Sequence, residues 1–483
     1  MYRPTWIGMC IATFCTVVSA VPIVVNISSG RTPISPYIYG ANQPLPTVAH
    51  PAKRLGGNRM TGYNWENNAS NAGSDWNHSS DNFVTWNMGI PDAQANVPGI
   101  ALTWFHDRLP PATTTLSLIT LQMAGYAARD KNGPVSIGET APSSRWVEVR
   151  PRKGAAFSTA PSTADGYVYM DEMVHFLVQR YGPSSSPAGV KAYALDNEPD
   201  LWSHTHPRIH PNPVGCVELI ARSTSLAHAV KDVDPDALIF GPVSYGFNGY
   251  LSLQDAPDWN AVRGGHAWFL DYYLERMRIT SQAAGRRLLD VLTIHWYPEA
   301  RGGGSRITFD PFDPNNIECN KARMQAPRTL WDPTYIEDSW IGQWGRAFLP
   351  LIPRILSGIA THYPGTKLAI TEYNYGGERH ISGGIAQADV LGIFGRYGVF
   401  AAFYWQMEDP RDYVRAAFDL YLNFDGTGSG FGTISVGAVS GDVSSMTAHA
   451  AVRDATDNQL HLSLIHISEP TRLLSISYAV FCL

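Results

Sequence analysis

Two glutamates stand directly after apolar, strand-like runs, where a carboxylate could take part in catalysis. In "AYALDNEPDLW", Asn197 and Glu198 follow the apolar residues at once, and in "KLAITEYNYGG" the same is true of Glu372. Polar residues and prolines often just mark the end of a strand. Two glutamates at matched positions are better explained as a catalytic pair than as two unrelated strand ends.

A pair of this kind can hydrolyse a glycosidic bond by double displacement, in which one carboxylate attacks the anomeric carbon and the other protonates the leaving oxygen. An amide that precedes the acid can hydrogen-bond the sugar 2-OH, as in the large clan of hydrolases with Asn-Glu on the fourth strand. Asn197 therefore assigns Glu198 as the acid/base and Glu372 as the nucleophile. If configuration is retained, the two carboxyl groups should lie roughly 5 to 5.5 Å apart.

The elements that position these residues are predicted from eight short apolar runs between Pro36 and Pro410, which helix-like stretches separate. This alternation predicts a (β/α)8 barrel, whose active-site residues project from the carboxyl ends of the strands. Strands four and seven then carry Glu198 and Glu372 to the same barrel mouth. The runs are, in chain order, "YIYGAN", "AKRLGGN", "LITLQMAG", "VKAYALDNE", "ALIFGPVS", "VLTIHWY", "KLAITEYN" and "VFAAFYWQ".

The predicted barrel covers residues 36–410, and a second domain of different texture follows it. Residues 411–461 show short alternating runs with Gly and Ser turns, which is typical of a β-sandwich. The strand "PIVVNIS" in residues 21–35 has no partner in the barrel and is expected to join that sheet. The predicted fold class is therefore α/β, a (β/α)8 TIM barrel with a β-sandwich formed from the N-terminal strand and the C-terminal region.

The first and the last residues of the chain are not expected to be part of this fold. Residues 1–20 have a basic residue, a short apolar run and a small-residue cleavage site, which predicts a secretory signal peptide and an extracellular protein. Residues 462–483, "LSLIHISEPTRLLSISYAVFCL", resemble the conceptual translation of a transposase-type sequencing adapter. On this interpretation the sandwich is truncated after His461, and the alternative is a natural apolar C-terminal strand.

Composition excludes several classes of protein. The 483 residues are 44% apolar, enough for a sizeable core, and the formal net charge of -6 is spread without long like-charge runs. The chain therefore has no basic footprint for nucleic acid and no polybasic patch for a membrane. A neutral polymer is an easier partner to reconcile with this charge, and the protein is expected to be a monomer. Cys216 and Cys319 could form a disulfide, but the sequence does not decide this.

Four longer motifs carry a resemblance to a known family. From about Ile34 to His461 the chain resembles glycoside hydrolase family 44, which implies a barrel with a β-sandwich, a retaining mechanism and no cofactor. The resemblance also implies endo-attack on β-1,4-glucans such as carboxymethylcellulose and xyloglucan, with Glu198 and Glu372 as the catalytic pair. The motifs are "RLGGNRMTGYNWENNASNAGSDW", "LDNEPDLWSHTHPRIHP", "DVLTIHWYPEA" and "KLAITEYNYGGERHISGGIAQADVLGIFGRYGVFAAFYW".

Several residues could support the catalytic pair. Arg54, at the end of the second run, could bind the Glu372 carboxylate through a charge-assisted hydrogen bond, and Arg59 is a close rival. On the sixth run His295 and Tyr297 point the same way by strand parity. A tyrosine hydroxyl beside the nucleophile would stabilise its charge.

Aromatic rings make good platforms for the apolar faces of sugars, and the chain is rich in tryptophan. Trp405, near the end of the eighth run, could form the floor of the subsite for the non-leaving sugar. In the long second loop, Asn58 and Glu66 are the polar residues expected near the substrate. The other predicted platforms are Trp65, Trp202 and Trp296.

Two segments suggest metal ions but have simpler explanations. The run "HTHPRIH" has zinc-like spacing, yet spacing alone does not establish convergent ligands, so packing and substrate contact are favoured. Its histidines are His204, His206 and His210. The segment "LWDPTYIEDSWI" could bind a structural calcium or serve equally well in helix capping. Its carboxylates are Asp332, Glu337 and Asp338. No metal is expected in the active site.

Two alternative functions remain open at this point. "GGN" and "GYNWE" also occur near the sugar subsites of exo-acting hydrolases of the same clan, such as arabinofuranosidases. A truncated fold could instead leave a carbohydrate-binding remnant that does not turn over. Viscosity loss in a polymer solution separates internal from terminal cleavage, and release of reducing sugar separates an enzyme from a binding protein.

Overall fold

The computed structural model describes residues 21–42, 50–108, 115–308, 313–406, 412–456, 459–467 and 477–481. The predicted signal peptide, residues 1–20, lies outside the described residues. Of the predicted tail, residues 462–467 and 477–481 are described.

Eight parallel strands, numbered β1 to β8 along the chain, close into a barrel in which each strand pairs with its neighbours in sequence. All eight overlap the predicted runs, so the predicted barrel is confirmed. Their bounds are Gly40–Asn42 (β1), Ala52–Leu55 (β2), Leu116–Leu121 (β3), Ala192–Leu195 (β4), Leu238–Ser244 (β5), Val291–Trp296 (β6), Lys367–Tyr373 (β7) and Ala401–Tyr404 (β8).

The first run is a strand only in its second half. Its first residues form a 3-10 helix, Pro36–Tyr39, whose first backbone N–H groups lack carbonyl partners within the helix. Ser35 caps this helix by accepting a hydrogen bond from the Tyr37 N–H at 3.3 Å. The proline at the first helical position has a dihedral angle that suits a helix start.

The strands are buried on both faces, as expected for a parallel sheet covered by helices. Small and large side chains alternate in one buried cluster on the strand face that points into the barrel, among them Ala52, Leu118, Ala194, Phe240 and Phe403. Interdigitation of these side chains closes the lower part of the barrel. The polar residues discussed below stand above this layer, at the carboxyl ends of the strands.

One long helix follows each of β2 to β8 and covers the barrel. These helices are Ile100–Asp107, Met170–Tyr181, Cys216–Val233, Phe269–Ala284, Leu351–His362, Ile381–Arg396 and Asp412–Leu422. The shorter helices are Asn58–Thr61, Phe83–Asn87, Trp202–Thr205, Phe247–Ser252, Trp259–Val262, Ile317–Gln325 and Trp340–Trp344. Further 3-10 helices are Gly73–Trp76, Asp92–Gln94, Ile137–Glu139, Pro199–Leu201, Ala326–Leu330 and Arg346–Phe348.

Small sheets decorate the loops. One joins Tyr126–Ala128, Trp146–Arg150 and Tyr167–Tyr169, and a second joins Ser70–Asn71, Ser79–Asp81 and Gly133–Pro134. A two-stranded sheet joins Arg301–Gly302 and Ser305–Arg306.

The helix Asp412–Leu422 corrects the predicted domain boundary, which placed residues 411–461 in the sandwich. Val414, Ala417, Phe418 and Tyr421 are buried at helical spacing, and the Tyr421 hydroxyl donates to the Ala388 carbonyl of the preceding barrel helix at 2.8 Å. The segment therefore belongs to the barrel, because its apolar residues repeat with the period of a helix and not of a strand.

The second domain contains an antiparallel sheet to which the N-terminal strand contributes, as predicted. The strand Ile23–Asn26 pairs with Ile434–Ser440. The other strands are Thr32–Pro33, Met446–Val452, Leu460–His466 and Ser477–Phe481. The strand Leu460–His466 includes the first residues of the predicted tail, and one of these, Ile465, is fully buried. The interpretation of residues 462–483 as an adapter translation stays a prediction.

Two further features bear on the sequence-based expectations. Among the helices that the structure describes, none combines the length and the apolar character that a bilayer crossing requires. Cys216 and Cys319 are both buried and free, so the disulfide left open by the sequence is not formed.

Candidate active site

Glu198 projects from a sharp turn at the end of β4. The backbone is left-handed at Asp196 (φ 66°) and at Glu198 (φ 44°), which is uncommon for residues other than glycine. The Glu198 N–H donates to the Val243 carbonyl of β5 at 3.0 Å. The polar run after "AYAL" is thus a strained turn that directs Glu198 to the barrel mouth, and not a simple strand end.

The buried carboxylate of Asp196 anchors this turn to β3. It accepts hydrogen bonds from the Thr61 hydroxyl at 2.6 Å and from the backbone N–H groups of Met123 and Ala124. Burial raises the pKa of Asp196, and these hydrogen bonds lower it. Asp196 therefore holds the backbone of the turn, while Glu198 remains available for chemistry.

Glu372, at the end of β7, is held by two donors. The guanidinium of Arg54 lies 2.7 Å from Oε1, and the Tyr297 hydroxyl donates to Oε2 at 2.8 Å. Arg54 is fully buried, and Glu372 is 4% exposed. Charge-assisted hydrogen bonds of this kind are strong, and they fix the orientation of the carboxylate. The rival candidate, Arg59, pairs with Asp81 instead, at 2.6 Å.

A chain of hydrogen bonds links Glu372 to the loop after β2. Arg54 donates to Asn197 Oδ1 at 2.7 Å, and Asn197 donates to Asn58 Oδ1 at 3.0 Å. Asn58 donates in turn to Asp75 at 2.8 Å. The structure thus brings together the predicted site residues Arg54, Asn197 and Asn58, and it adds Asp75, which lies in the 3-10 helix Gly73–Trp76 at the end of the first family motif.

His295 lies between the two glutamates. Its Nδ1 is 2.9 Å from Glu198 Oε1 and 3.5 Å from Glu372 Oε2. Burial lowers the pKa of His295 to about 3, although the Glu372 charge opposes this shift, so the ring is neutral at neutral pH. Its Nε2 is buried and has no hydrogen-bond partner in the described part of the chain, which favours the tautomer with the proton on Nδ1.

The environment of Glu198 favours a protonated acid. Burial raises the pKa of Glu198 to about 7, while Arg54 lowers it and Asp75 raises it further. An oxygen of Glu198, an oxygen of Glu372 and a nitrogen of His295 lie within 4.8 Å of one another. A cation would find suitable spacing among these atoms, but the Arg54 guanidinium already binds one oxygen of Glu372.

Trp405 stands at the barrel mouth, directly after β8, and is partly exposed. Its ring lies against the "RLGGN" segment, where an added Cβ on Gly57 would be 2.4 Å from the indole. An added Cβ on Gly56 would be 2.3 Å from the Arg54 guanidinium. Because glycine has no Cβ, Gly56 leaves room for the Arg54 guanidinium and Gly57 leaves room for the Trp405 ring. This need for space explains the two glycines in the motif.

A cavity of about 240 Å³ opens beside Glu198, and aromatic rings line it. Trp340 is 39% exposed there and packs edge to face on Phe247, with ring centroids 5.7 Å apart. Tyr245, directly after β5, also lines the cavity. The sequence prediction missed Tyr245 and Trp340; the position of Tyr245 at a strand end was the available signal.

Three of the predicted substrate-binding residues lie in the core instead. Trp65 is fully buried against Phe176, and Trp202 is fully buried against His210. Glu66 is 3% exposed, and burial raises its pKa to about 8. Trp296 lines the cavity beside Glu198, although it is 1% exposed and its indole N–H donates to the Tyr375 hydroxyl. These corrections share one reason: neighbouring helices and loops cover the motif segments, so a side chain there is not necessarily exposed to the cleft.

The residues of the two metal-like segments have protein partners in the structure. His206 contacts the Asn58 carbonyl and His210 contacts Glu218, so these histidines do not converge. His204 contacts the Ser203 hydroxyl. In the second segment, Asp332 binds Arg328, and Glu337 binds the hydroxyls of Thr329 and Ser339. The Asp338 carbonyl accepts from the Arg301 N–H.

Comparisons with known proteins identify the family of this chain. The sequence matches the model of glycoside hydrolase family 44 over residues 69–300. It is 56% identical to a solved xyloglucanase of that family from Paenibacillus polymyxa, over 92% of this chain and 87% of that chain, with a TM-score of 0.89. The chain belongs to glycoside hydrolase family 44. The resemblance found in the sequence is thereby confirmed.

A second solved structure and two further relatives are similarly close. The Paenibacillus polymyxa xyloglucanase has also been solved with xyloglucan, at 55% identity, with the same coverage and a TM-score of 0.89. Endoglucanase A of Paenibacillus lautus is 57% identical, and Beta-mannanase/endoglucanase A of Caldicellulosiruptor saccharolyticus is 54% identical, each over 93% of this chain. The chain spans 64% of the length of the first and 34% of the second.

Proposed function

We propose that this chain is a secreted, retaining endo-β-1,4-glucanase that acts on cellulose-type glucans and on xyloglucan. The observation that carries the proposal is the pair of glutamates on β4 and β7, with oxygens within 4.8 Å of each other. Retaining glycosidases have carboxyl groups roughly 5 to 5.5 Å apart, whereas inverting enzymes need about 6.5 to 9.5 Å to admit a water. The names of the relatives, endoglucanase and xyloglucanase, support the substrate class.

In the first step Glu372 attacks the anomeric carbon, and Glu198 donates its proton to the glycosidic oxygen. The bond from carbon to the leaving oxygen breaks, and an ester to Glu372 forms. The pKa of about 7 keeps a large fraction of Glu198 protonated in neutral solution, as a general acid requires. Arg54 and Tyr297 hold the attacking carboxylate in one orientation.

In the second step Glu198, now a carboxylate, takes a proton from water, and the water oxygen attacks the anomeric carbon of the glycosyl ester. Glu372 departs with the bonding electrons, and the hydrogen bonds from Arg54 and Tyr297 stabilise the charge that returns to it. His295 donates from Nδ1 to the Glu198 carboxylate at 2.9 Å and thereby stabilises its charged form. The two-carboxylate chemistry needs no cofactor.

Endo-attack requires that the polymer extend on both sides of the scissile bond. The cavity lined by Tyr245, Phe247 and Trp340 offers aromatic surface on the Glu198 side, which is the side of the leaving sugar. Trp405 offers a ring at the end of β8 for the sugar on the other side.

The test uses the purified protein on carboxymethylcellulose and on xyloglucan. We expect an early, steep loss of viscosity, release of reducing ends, and products whose first anomeric NMR signal is β, with Glu372→Ala as the blank. Slow viscosity loss with monomer release would support the exo-acting alternative, and a first signal from the α-anomer would refute retention. Size-exclusion chromatography and recovery from the culture medium test the expected monomer and its export.

A further inference from the structure

A buried aspartate lies two residues after the acid/base. Asp200 is 4% exposed and has no role in the two chemical steps above. Its Oδ2 accepts a hydrogen bond from the Ser244 hydroxyl, and both carboxylate oxygens lie 3.2 Å from the Tyr245 backbone N–H. The carboxylate thus joins the turn after β4 to the end of β5.

The backbone at this junction is strained on both sides. Glu198 has a φ of 44° and Val243 a φ of 64°, and the Glu198 N–H donates to the Val243 carbonyl at 3.0 Å. A left-handed conformation is especially unfavourable for a β-branched residue such as valine. Such backbone persists only where surrounding contacts hold it, and it is concentrated at functional sites.

The space for the Asp200 carboxylate depends on a glycine. An added Cβ on Gly249 would lie 1.9 Å from Asp200 Oδ2 and 2.5 Å from the Ser244 hydroxyl. Gly249 is inside the helix Phe247–Ser252, where alanine is intrinsically preferred over glycine. Glycine at this position therefore leaves space for the Asp200 carboxylate, although it is less favourable for the helix than alanine would be.

We propose that Asp200 is a positioning residue for the acid/base, because its carboxylate holds the strained turn that aims Glu198 at the glycosidic oxygen. Through the Tyr245 backbone it also fixes the start of the loop that lines the cavity beside Glu198. This inference rests on the proposed function, since it assumes that Glu198 acts as an acid.

A positioning role makes a prediction that a purely structural role does not. Protonation of the leaving group matters for an alkoxide and hardly at all for a 2,4-dinitrophenolate, which departs without a proton. Misplacing Glu198 should therefore reduce kcat/KM for xyloglucan and spare kcat/KM for 2,4-dinitrophenyl β-cellobioside. Loss of folded protein would reduce both to the same extent.

The first experiment measures both substrates with Asp200→Ala and Asp200→Asn. For Asp200→Ala we expect kcat/KM on xyloglucan to fall at least about tenfold, since general acid catalysis contributes on the order of 10²–10⁴. The aryl glycoside should change by less than about threefold, because its leaving group needs no proton. Asp200→Asn should restore most of the loss, because the amide can accept from the Tyr245 N–H and donate to the Ser244 hydroxyl.

The matched control is Asp234→Ala. Asp234 is also a buried aspartate whose carboxylate accepts from a serine hydroxyl and a backbone N–H, both of Ser184. It precedes β5 and so lies at the opposite end of the barrel from Glu198. Asp234→Ala is expected to leave the ratio of the two kcat/KM values unchanged, whatever it does to the melting temperature.

The second experiment displaces the carboxylate without deleting it. Gly249→Ala should cause the same selective loss on xyloglucan, and it should add nothing further in the Asp200→Ala background. Gly249→Ala also decides the question if Asp200→Ala does not fold. Equal losses on both substrates, no loss in either variant, or a full additional loss in the double variant would each overturn the proposal. A wild type that cleaves neither substrate would instead refute the proposed function, and Asp234→Ala would then be equally inactive.

Discussion

The hydroxyl of Tyr297 offers a sharp test of the nucleophile. It donates to Glu372 Oε2 at 2.8 Å, and Tyr297→Phe removes this one oxygen while keeping the ring. A hydrogen bond to a charged group contributes about 1.5–3 kcal/mol. Since about 1.4 kcal/mol corresponds to a factor of ten in rate, losing the bond in a rate-limiting step should slow that step about 10- to 150-fold.

The affected step follows from the charge on Glu372. In the ester intermediate the Glu372 carboxyl group is uncharged, and negative charge returns to it as the ester breaks. The missing hydroxyl should therefore slow deglycosylation more than glycosylation. With 2,4-dinitrophenyl β-cellobioside, stopped-flow measurement should show a burst of one phenolate per enzyme, followed by a slow steady state.

The control is Tyr193→Phe on β4, because the Tyr193 hydroxyl is buried and has no hydrogen-bond partner in the described residues. This change should leave both phases as in the wild type. The reasoning is refuted if Tyr297→Phe keeps the wild-type kcat, or if it slows glycosylation and deglycosylation equally and shows no burst.

Four further predictions concern the acid, the cleft and the tail. Glu198→Ala should retain cleavage of an activated aryl glycoside, gain rate with azide and yield a β-configured azide; no azide response would contradict the assigned role. Because the raised pKa of Glu198 is about 7, the acid loses its proton as pH rises through about 7, and kcat/KM on xyloglucan should fall in that range. The value of kcat/KM on 2,4-dinitrophenyl β-cellobioside should not show this decrease, because its leaving group needs no proton. Trp405→Ala should slow turnover of the polymer by more than any loss of folded protein explains, as judged from the melting temperature. Full activity with an unchanged melting temperature would argue against a sugar platform at Trp405. Replacing residues 462–483 by a family-like continuation after His461 should raise the melting temperature. If the chain as given already melts cooperatively, and if removing residues 462–483 destabilises it, the tail is a strand that contributes to the fold.

Much of the fold could be predicted because its signals are local. Eight apolar runs of strand length separated by helical stretches predict a barrel, and the ends of strands four and seven then meet at one mouth. Glu198, Glu372 and Tyr297 were found in this way, since their placement depends only on strand ends and strand parity. The long family motifs extended this reasoning to the chemistry.

Contacts between distant segments decided the rest. The sequence left Arg59 as a close rival of Arg54, and only barrel closure places Arg54 against a carboxylate 318 residues away, while Arg59 meets Asp81 in its own loop. Trp65 looked like a sugar platform until a helix that starts 105 residues later put Phe176 against its ring. The sequence by itself therefore determined which strands exist and which carboxylates end them, because those properties follow from residue order. The tertiary structure alone decided which side chains are exposed and which charges pair, because both depend on what other segments pack against them.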